Sequence, residues 1–279
     1  MPKEQATYSH GHHESVVTSH ARRTVHDSAA FLAPHLKPTD HILDVGCGPG
    51  SITADLAALV PQGRVVGVDA VATVLDQARA FAQDRHLANI EFEVVDANAL
   101  PYPDATFDVV YSHQVLQHVR DPVGILREMR RVAKPGTGLV AAREADYGAF
   151  AWHPADPQLS RWGELYYAQG VASGGEPNAG RFLHAWARRA GFAPEHTQTT
   201  VTSWCYTGER ARQWGNMWAD RAVHSGFATV VKDKGLGTQE GLEAVSRAWA
   251  DWATKEDLFF NVPSTEILCR VPAASATPT

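Results

Sequence analysis

Three glycines spaced two residues apart, Gly46, Gly48 and Gly50, follow directly on a short apolar run at residues 41–45. Residues 52–59 then repeat apolar side chains with a helical period and consist of good helix formers. The pattern predicts a strand, a glycine turn and a helix. Glycine adopts backbone conformations that other residues avoid, and the free N–H groups at the start of a helix face whatever is bound there. This stretch therefore predicts a ligand-binding turn.

The spacing of these glycines separates two kinds of nucleotide-binding turn. A dinucleotide-binding fingerprint reads G-x-G-x-x-G, and its third glycine would fall at position 51, which is Ser51. The run here instead reads D-x-G-x-G-x-G from Asp44 to Gly50, with Cys47 between the first two glycines. It resembles motif I of the class I S-adenosylmethionine-dependent methyltransferases. An ordinary strand–helix turn can carry the same glycines, so the rest of the chain has to decide between the two.

Strand patterns alternate with helix patterns through the first half of the chain. After the strand at 41–45, strands are expected at residues 63–70, 90–95, 107–113 and 138–144. Such a succession predicts an α/β fold with a parallel, doubly wound sheet. With an antiparallel pair from the C-terminal half, the expected architecture is a Rossmann-like, mainly parallel seven-stranded sheet with an added helical lid. Ligands bind such sheets across the carboxyl ends of the strands.

Polar residues stand at those carboxyl ends. Asp69 ends the second strand, where a carboxylate can accept both hydrogen bonds of a ribose diol. Asp96 follows the third strand and can accept from the exocyclic amine of adenine, while the N–H of Ala97 contacts a ring nitrogen. The fourth and fifth strands end in further polar side chains: Ser112, His113 and Glu144.

The resemblance to class I methyltransferases covers residues 40–145. In its general character the sequence is similar to the small-molecule methyltransferases of ubiquinone and menaquinone biosynthesis. It implies S-adenosylmethionine as the cofactor and S-adenosylhomocysteine as the product. It also implies that the glycine loop holds the methionine moiety, Asp69 the ribose and Asp96 the adenine. Arg22 and Arg23 are expected to be solvated, with pairing of one of them to the cofactor carboxylate as the alternative. The implied cofactor contacts are Asp44, Gly46, Cys47, Gly48, Asp69, Ala70, Asp96, Ala97, Ser112, His13 and Arg23.

The segment after the fourth strand indicates a small-molecule acceptor. Enzymes of this class that methylate amino groups of nucleic acids carry an acid or Asn followed by Pro-Pro-aromatic at this point. Residues 112–115 of this chain are Ser-His-Gln-Val. The net charge of -6 also offers no basic surface to a nucleic acid.

Composition narrows the setting of the protein. The chain is 44% hydrophobic and 20% charged, which is typical of a globular protein. No apolar stretch approaches the roughly 18 residues of a membrane span, and no signal peptide is expected. Three widely spaced cysteines indicate a reduced, cytoplasmic location. The N-terminal histidines have no cysteine or carboxylate cluster to complete a metal site, so no metal is expected.

Four parts of the chain are expected. Residues 1–36 form an N-terminal arm and a helix, from residue 19 onward, that cover the cofactor cleft. Residues 37–145 form the S-adenosylmethionine-binding core. Residues 146–271 form a Trp-rich helical substrate lid together with the C-terminal strands of the sheet. Residues 272–279 form a disordered tail.

The C-terminal half is marked by its tryptophans, because all eight lie after position 150. Tryptophan at helical spacing is more often core than substrate cage. An aromatic lid nevertheless favours a planar, largely apolar acceptor, and exposed aromatics would permit a homodimer. Helices are expected at 156–172, 178–190, 209–228 and 238–254, those without strand partners capping the cleft, and strands at 196–206 and 259–271.

Several side chains at the cleft mouth are candidate catalytic bases. A base is needed only if the acceptor is a hydroxyl or an ammonium, because an electron-rich aromatic carbon can attack first and lose its proton later. His113 and His118 suit the role since imidazole titrates near neutral pH. Glu144, and Tyr8 or His13 on the arm, are further candidates, and Tyr8 could instead shield the sulfonium with its ring face. Packing or simple hydrogen bonding stays the alternative for both histidines.

The expected acceptor is a small aromatic metabolite contacted by Glu144, Tyr147 and Trp152. The His-rich arm, the segment around Trp152 and the Trp-rich lid look like bacterial alkaloid-pathway methyltransferases that methylate indole C3. That resemblance implies natural-product biosynthesis, that is, secondary metabolism. C- or O-methylation of a quinone precursor is the alternative. Two other classes stay open, a nicotinamide-dependent oxidoreductase and a non-catalytic cofactor-binding module.

Overall fold

Eight strands form one central sheet in the computed structural model, which describes residues 23–273. In chain order the strands are β1 (His41–Val45), β2 (Arg64–Asp69), β3 (Ile90–Val94), β4 (Val109–His113), β5 (Leu139–Ala145), β6 (Ala151–His153), β7 (Thr197–Thr207) and β8 (Phe259–Arg270). The helices are α1 (Val25–Ser28), α2 (Ser51–Leu59), α3 (Ala72–Asp84), α4 (Pro122–Val132), α5 (Pro157–Ala172), α6 (Ala179–Arg189), α7 (Gly208–His224), α8 (Gly226–Asp233) and α9 (Gln239–Trp252).

The sheet is mainly parallel. Its main order is β3-β2-β1-β4-β5-β8, with the first five strands parallel and β8 antiparallel to β5. Strand β7 pairs antiparallel with β8 along its other edge. The expected Rossmann-like α/β sheet with a C-terminal antiparallel pair is therefore confirmed. One strand was not predicted, because β6 is only three residues long and pairs with the first residues of β8.

The central strands β1, β2, β4 and β5 are buried on both faces, as parallel strands in α/β proteins are. On one face, Met129 of α4 and Leu183 of α6 join the core around β1, β4 and β5. On the other face, Leu32 and Leu56 pack against Ile42 and its neighbours on the sheet. The near-continuous apolar runs in these strands follow from this double burial.

Helix α6 lies on the sheet and does not cap the cleft. The sequence analysis expected the helices without strand partners to cap the cleft and did not say whether the helix at residues 178–190 is one of them. Leu183 and Trp186 join the cluster that contains Met129 and Ile267. The apolar residues of α6 therefore complete the sheet core beside α4.

Helices α5, α7, α8 and α9 pack together at the end of the sheet and are named the lid after the substrate lid that the sequence analysis expects. These helices share a core of buried residues that includes Trp162, Trp218 and Trp249, each at most 1% exposed. Phe260 of β8 belongs to the same cluster, so the lid core is continuous with the end of the sheet. These three tryptophans are core residues, which is the more common role that their helical spacing indicated.

Three expected helices differ from those observed. The first helix was expected to reach Leu36, but within the described residues it is the short α1. Thr24 caps this helix, since its hydroxyl oxygen accepts a hydrogen bond from the Asp27 N–H. The sequence after the fourth strand also predicts one helix from residue 114 to Met129, whereas the structure has a 3-10 turn followed by α4, since Pro122 occupies a first helical position with Asp121 as its cap. The helix expected at 209–228 is divided into α7 and α8 at Ser225, whose hydroxyl accepts from the Phe227 N–H.

Several expectations lie outside what the described residues test. The arm at residues 1–22 and the tail at 274–279 are outside the described part of the chain. Within residues 23–273, no helix combines the length and apolar character needed to span a membrane. The four-part division of the chain, the cytoplasmic location and the homodimer stay predictions.

Candidate functional site

The glycine loop connects β1 to α2 in a conformation that needs glycine. Gly46, Gly48 and Gly50 have φ angles of +74°, +55° and +78°, in the left-handed region that L-residues avoid. The N–H groups of Gly46 and Cys47 both donate to the Val68 carbonyl of β2, at 2.7 and 3.0 Å. A Cβ on Gly46 would stand 2.2 Å from Val115 Cγ2, whereas one on Gly48 would meet no atom within 4 Å. The loop is thus packed at Gly46 and open at Gly48.

Asp69 joins the end of β2 to this loop. Its Oδ2 accepts from the Gly48 N–H at 3.1 Å, and its Oδ1 accepts from the Val71 N–H at 3.0 Å. The neighbouring Ala70 is exposed at the same edge. The structure therefore brings Asp69, Ala70 and the open glycine together, as the sequence analysis expected for a cofactor site.

Asp44 lies beneath the loop, where it is only 2% exposed. The Thr53 hydroxyl on α2 donates to its Oδ2 at 2.7 Å. Burial raises the pKa of Asp44 to about 7, although the hydrogen bond from Thr53 acts in the opposite direction. This carboxyl supports the loop from inside, so the structure gives it a scaffold role in place of the expected cofactor contact.

Asp96 and Ala97 lie just after β3, next to the end of β2. The Val95 N–H donates to the Asp69 carbonyl at 3.0 Å, which keeps the two strand ends adjacent. Asp96 is exposed, and its Oδ1 accepts from the N–H and side-chain amide of Asn98, at 2.9 and 2.7 Å. The position agrees with the expected adenine end of the site, at the same sheet edge as Asp69.

Glu144, expected to contact the acceptor, is fully buried at the end of β5. Its Oε1 accepts from the N–H groups of Val115 and Leu116, at 3.0 and 2.9 Å, and its Oε2 accepts from the Gln117 N–H at 3.2 Å. Burial raises the pKa of Glu144 to about 7, against the three N–H donors that favour the charged form. Both oxygens hold the turn after β4, so Glu144 shapes the cleft and does not line it.

The turn that Glu144 holds carries a polar network toward the lid. Gln117 Nε2 lies 3.0 Å from His118 Nε2 and donates to Tyr147 Oη at 3.3 Å. The Tyr166 hydroxyl of α5 donates to Tyr147 Oη at 3.0 Å. Gln117 Oε1 is buried and has no hydrogen-bond partner among the described residues. The sequence analysis had identified His118 and Tyr147 but missed Gln117 and Tyr166, which no local pattern distinguishes from core residues.

Aromatic rings stack around this network. The Tyr147 and Tyr166 rings are 4.4 Å apart with an interplanar angle of 10°. The Phe150 ring lies 5.0 Å from the Tyr147 ring. Tyr147 begins a 3-10 turn, and Phe150 directly follows this turn. Trp152, also expected to contact the acceptor, stacks on Phe260 at 6.3 Å and meets Trp162 edge-on, so its described contacts are with the lid core.

Both candidate histidine bases are held neutral. Burial, together with the charges of Arg23 and Arg143, lowers the pKa of His113 well below its usual value. Burial and the charge of Arg23 lower the pKa of His118 to about 3. A base with so low a pKa has little driving force for taking a proton at neutral pH. These histidines therefore suit hydrogen bonding better than the expected proton abstraction, whereas Tyr8 and His13 lie outside the described residues.

A second group of side chains lies around His113 at the end of β4. The ring centroids of His113 and Trp204 of β7 are 5.6 Å apart. The guanidinium carbons of Arg143 and Arg23 lie 4.7 and 5.1 Å from the Trp204 ring centroid. Arg23 also donates to Gln114 Oε1 at 2.8 Å. Ser112, beside His113, is fully buried, and its hydroxyl has no partner among the described residues. Arg143 and Trp204 carried no signal in the sequence.

A metal centre does not form in the described part of the chain. Across residues 23–273, no three His, Cys, Asp or Glu side chains are arranged to hold a metal ion.

Comparisons with known proteins relate this chain to methyltransferases. A family model described as a methyltransferase domain matches residues 36–186. An uncharacterized methyltransferase of Schizosaccharomyces pombe is 35% identical over 265 residues, covering 92% of each chain. The demethylmenaquinone methyltransferase of Lactococcus lactis is 36% identical over 127 residues, covering 45% of this chain and 48% of the relative. The phosphoethanolamine N-methyltransferase 2 of Haemonchus contortus, solved with phosphomonomethylethanolamine and S-adenosylhomocysteine, shares the fold with a TM-score of 0.52 and 18% identity, over 88% of this chain and 52% of that chain.

The fold and the glycine loop define a class I S-adenosylmethionine-dependent methyltransferase. The chain belongs to the methyltransferase-domain family that matches residues 36–186, and its relatives include a menaquinone-type enzyme. The family assignment supports neither the nicotinamide-dependent oxidoreductase nor the non-catalytic module among the alternatives.

The residues at the site fit the cofactor of this family. The main chain is open at Gly48, where a Cβ would meet nothing within 4 Å, and the Asp69 carboxylate stands beside it. We therefore expect Gly48 and the loop to hold the methionine moiety, Asp69 the ribose, and Asp96 with Ala97 the adenine. S-adenosylmethionine, when bound, supplies an electrophilic methyl group on a sulfonium.

Proposed function

We propose that this methyltransferase methylates a small, largely apolar aromatic acceptor that carries a hydrogen-bond donor, as an indole or a phenol does. The observation that carries the proposal is the buried carbonyl oxygen of Gln117 beside the stacked rings of Tyr147 and Tyr166. The site lies where the turn after β4 meets the lid, next to the cofactor edge of the sheet.

Stacked tyrosine rings support a planar acceptor. Tyr147 and Phe150 present aromatic faces at the end of β5, and Tyr147 is half-buried. Aromatic pairs gain from offset stacking in addition to the burial of apolar area. A flat ring therefore suits this position better than a flexible polar chain.

The Gln117 carbonyl supports an acceptor with an N–H or O–H group. A buried carbonyl without a partner costs roughly 1–3 kcal/mol, which a donor on the ligand offsets. For an indole, positive charge develops on the ring nitrogen as C3 attacks the methyl group, and a carbonyl that accepts from this N–H stabilises that charge. A carbon–carbon bond forms, the methyl–sulfur bond breaks with its electron pair going to sulfur, and the ring later loses a proton to solvent.

The lowered pKa values support a carbon nucleophile over a neutral hydroxyl. A hydroxyl acceptor needs a base, and burial holds the pKa of both His113 and His118 far below neutrality. Glu144 is engaged by three backbone N–H groups. The candidate bases within residues 23–273 therefore favour methylation of an indole carbon. C- or O-methylation of a quinone precursor is the second candidate, which the demethylmenaquinone methyltransferase relative supports.

The first experiment is binding followed by turnover. Calorimetry with S-adenosylhomocysteine tests the cofactor site, and incubation with methyl-deuterated S-adenosylmethionine and a panel of indoles, phenols and quinone precursors tests the acceptor. We expect deuterated methyl transfer to an indole, with the carbon located by NMR. Comparison of indole with 1-methylindole, which lacks the N–H, should show at least a tenfold loss of kcat/KM. Turnover of quinone precursors alone would favour the second candidate, and binding without any turnover would contradict both.

Variants locate the acceptor site. Tyr147→Phe and Gln117→Met should lower kcat/KM for the acceptor about tenfold or more while the affinity for S-adenosylhomocysteine stays within twofold, because the removed groups face the acceptor. Tyr167→Phe is the matched control, since Tyr167 is the exposed neighbour of Tyr166 on α5. Equal effects of Tyr147→Phe and Tyr167→Phe would refute this placement.

A further inference from the structure

Arg143 carries hydrogen-bond donors that nothing in the described chain satisfies. The side chain is fully buried, and its Nε donates to Glu266 Oε1 at 3.2 Å and to Thr202 Oγ1 at 3.3 Å. Its terminal nitrogens, Nη1 and Nη2, are buried without a hydrogen-bond partner among residues 23–273. Burying charged donors without partners is unfavourable. Two buried, unpaired guanidinium nitrogens therefore indicate a ligand that accepts hydrogen bonds from them.

The side chains around Arg143 also suit the binding of a ligand. His113 is its cross-strand partner on β4, and both ring nitrogens of His113 are buried without a partner among the described residues. Trp204 covers the guanidinium at 4.7 Å, and its Nε1 donates to the Asp27 carbonyl at 2.8 Å, which keeps the ring in place. The Asp27 carboxylate is engaged by the Thr24 N–H and the Ser28 hydroxyl.

The position of this group connects it to the reaction. His113 and Arg143 stand at the carboxyl ends of β4 and β5, and Ser112 pairs with Val45 at the start of the glycine loop. The group therefore lies at the sheet edge that binds the cofactor. A planar guanidinium with two adjacent free nitrogens matches the geometry of a carboxylate, which it binds through two parallel hydrogen bonds.

We propose that Arg143, with His113 and Trp204, forms a carboxylate-binding subsite of this enzyme. The carboxylate has two possible sources, the amino-acid end of the cofactor and an acidic group on the aromatic acceptor. Trp204 shields the ion pair from water, and a neutral His113 donates one further hydrogen bond to the same group. The acceptor source rests on the proposed function, whereas the cofactor source does not.

The test uses a variant that keeps the charge balance of the interior. In Arg143→Met with Glu266→Gln, the buried ion pair is removed as a whole, a replacement that proteins often tolerate. The hydroxyls of Thr200 and Thr202 donate to different oxygens of Glu266, so one can still donate to the carbonyl oxygen of the new glutamine and the other can accept from its amide. Arg247→Met, on the exposed face of α9, is the matched control.

Two pairs of ligands distinguish the sources by calorimetry. The first pair is S-adenosylhomocysteine and 5′-methylthioadenosine, which lacks the amino-acid end. The second pair, titrated in the presence of S-adenosylhomocysteine, is indole-3-acetate and indole-3-acetamide. We expect the double variant to lose at least tenfold affinity for the carboxylate of one pair while its neutral counterpart binds within twofold of the wild type.

The pair that changes identifies the source of the carboxylate. Changes within twofold for both carboxylates, or equal losses for a carboxylate and its neutral counterpart, would overturn the proposal. If the variant does not fold, the same titrations of the wild-type protein still test the proposal. A wild-type protein that does not prefer the carboxylate in either pair would also overturn the proposed subsite. Binding of S-adenosylhomocysteine without indole methylation would refute the proposed function alone, since the first pair still decides the subsite.

Discussion

The carboxylate of Glu144, at the end of β5, accepts a hydrogen bond from the backbone N–H of Leu116 at 2.9 Å, in the turn that follows β4. The N–H groups of Val115 and Gln117 donate to the same carboxylate. One buried side chain thus sets the position of the turn that carries Gln117 and His118. The acceptor side of the cleft depends on this interaction between adjacent strands.

Glu144→Gln should destabilise the protein by about 1–3 kcal/mol, because one acceptor oxygen becomes an NH₂ group that faces backbone donors. Urea unfolding followed by circular dichroism measures the change. Glu256→Gln is the control, since Glu256 is exposed after α9 and should change the free energy of unfolding by less than about 0.5 kcal/mol. Indistinguishable effects of the two substitutions would contradict the role of Glu144.

Alanine at two glycines of the loop should have unequal effects. Both glycines have positive φ, so each substitution adds roughly 1–2 kcal/mol of backbone strain. Gly46→Ala should cost about 1–3 kcal/mol more than Gly48→Ala, because its Cβ would overlap Val115. The free energy of unfolding without cofactor is the measurement.

The same prediction can be isolated by a double-mutant cycle with Val115→Ala. The coupling should be favourable when both substitutions are present, since the smaller side chain makes room for the new Cβ. Additive effects of Gly46→Ala and Val115→Ala would show that the packing of Gly46 against this valine is not what excludes a side chain.

Asp69→Ala should weaken the binding of S-adenosylhomocysteine by roughly 1–3 kcal/mol, or about 5- to 150-fold, through loss of hydrogen bonds to the ribose. Calorimetry on protein shown to be folded is the measurement. Asp84→Ala, at the exposed end of α3, should leave the affinity unchanged. An unaltered affinity in Asp69→Ala would remove the ribose assignment.

Asp44 should make the protein less stable as the pH rises from about 4 to about 7. The pKa of an unperturbed aspartate is 3.8, and that of Asp44 in the fold is about 7, so the folded state holds an extra proton between these values. The contribution of this carboxyl to the free energy of unfolding therefore falls as the pH rises through this window.

Asp44→Asn removes this titration while its amide oxygen can still accept from Thr53. Urea unfolding at pH 5 and pH 7 should show a smaller fall, or a larger rise, in stability for Asp44→Asn than for the wild type. The lowered pKa of His118 acts with the opposite sign, stability rising with pH between about 3 and 6.5, but it is common to both proteins and cancels in the comparison. Parallel pH dependences would refute the raised pKa of Asp44.

The local patterns of the sequence determined the sheet and its cofactor edge. Three glycines after an apolar run, followed by acids at two further strand ends, placed Gly48, Asp69 and Asp96 at one edge because parallel strands align their carboxyl ends. The alternation in the last strands likewise predicted β7 and β8 within a residue at each end. These features depend on the backbone conformation of short segments, which local residue types control.

Only the tertiary structure decided which side chains meet at that edge. Glu144 was expected to contact the acceptor and is instead buried beneath the turn after β4, and the packing of α6 on the sheet was left open by the sequence. Arg143, His113 and Trp204 come together from β5, β4 and β7, and Gln117 meets Tyr166 from α5 through Tyr147. Hydrophobic periodicity indicates which face of a helix or strand is buried, but it does not indicate which element packs against that face. The packing of the whole core determines which residues far apart in the chain come into contact.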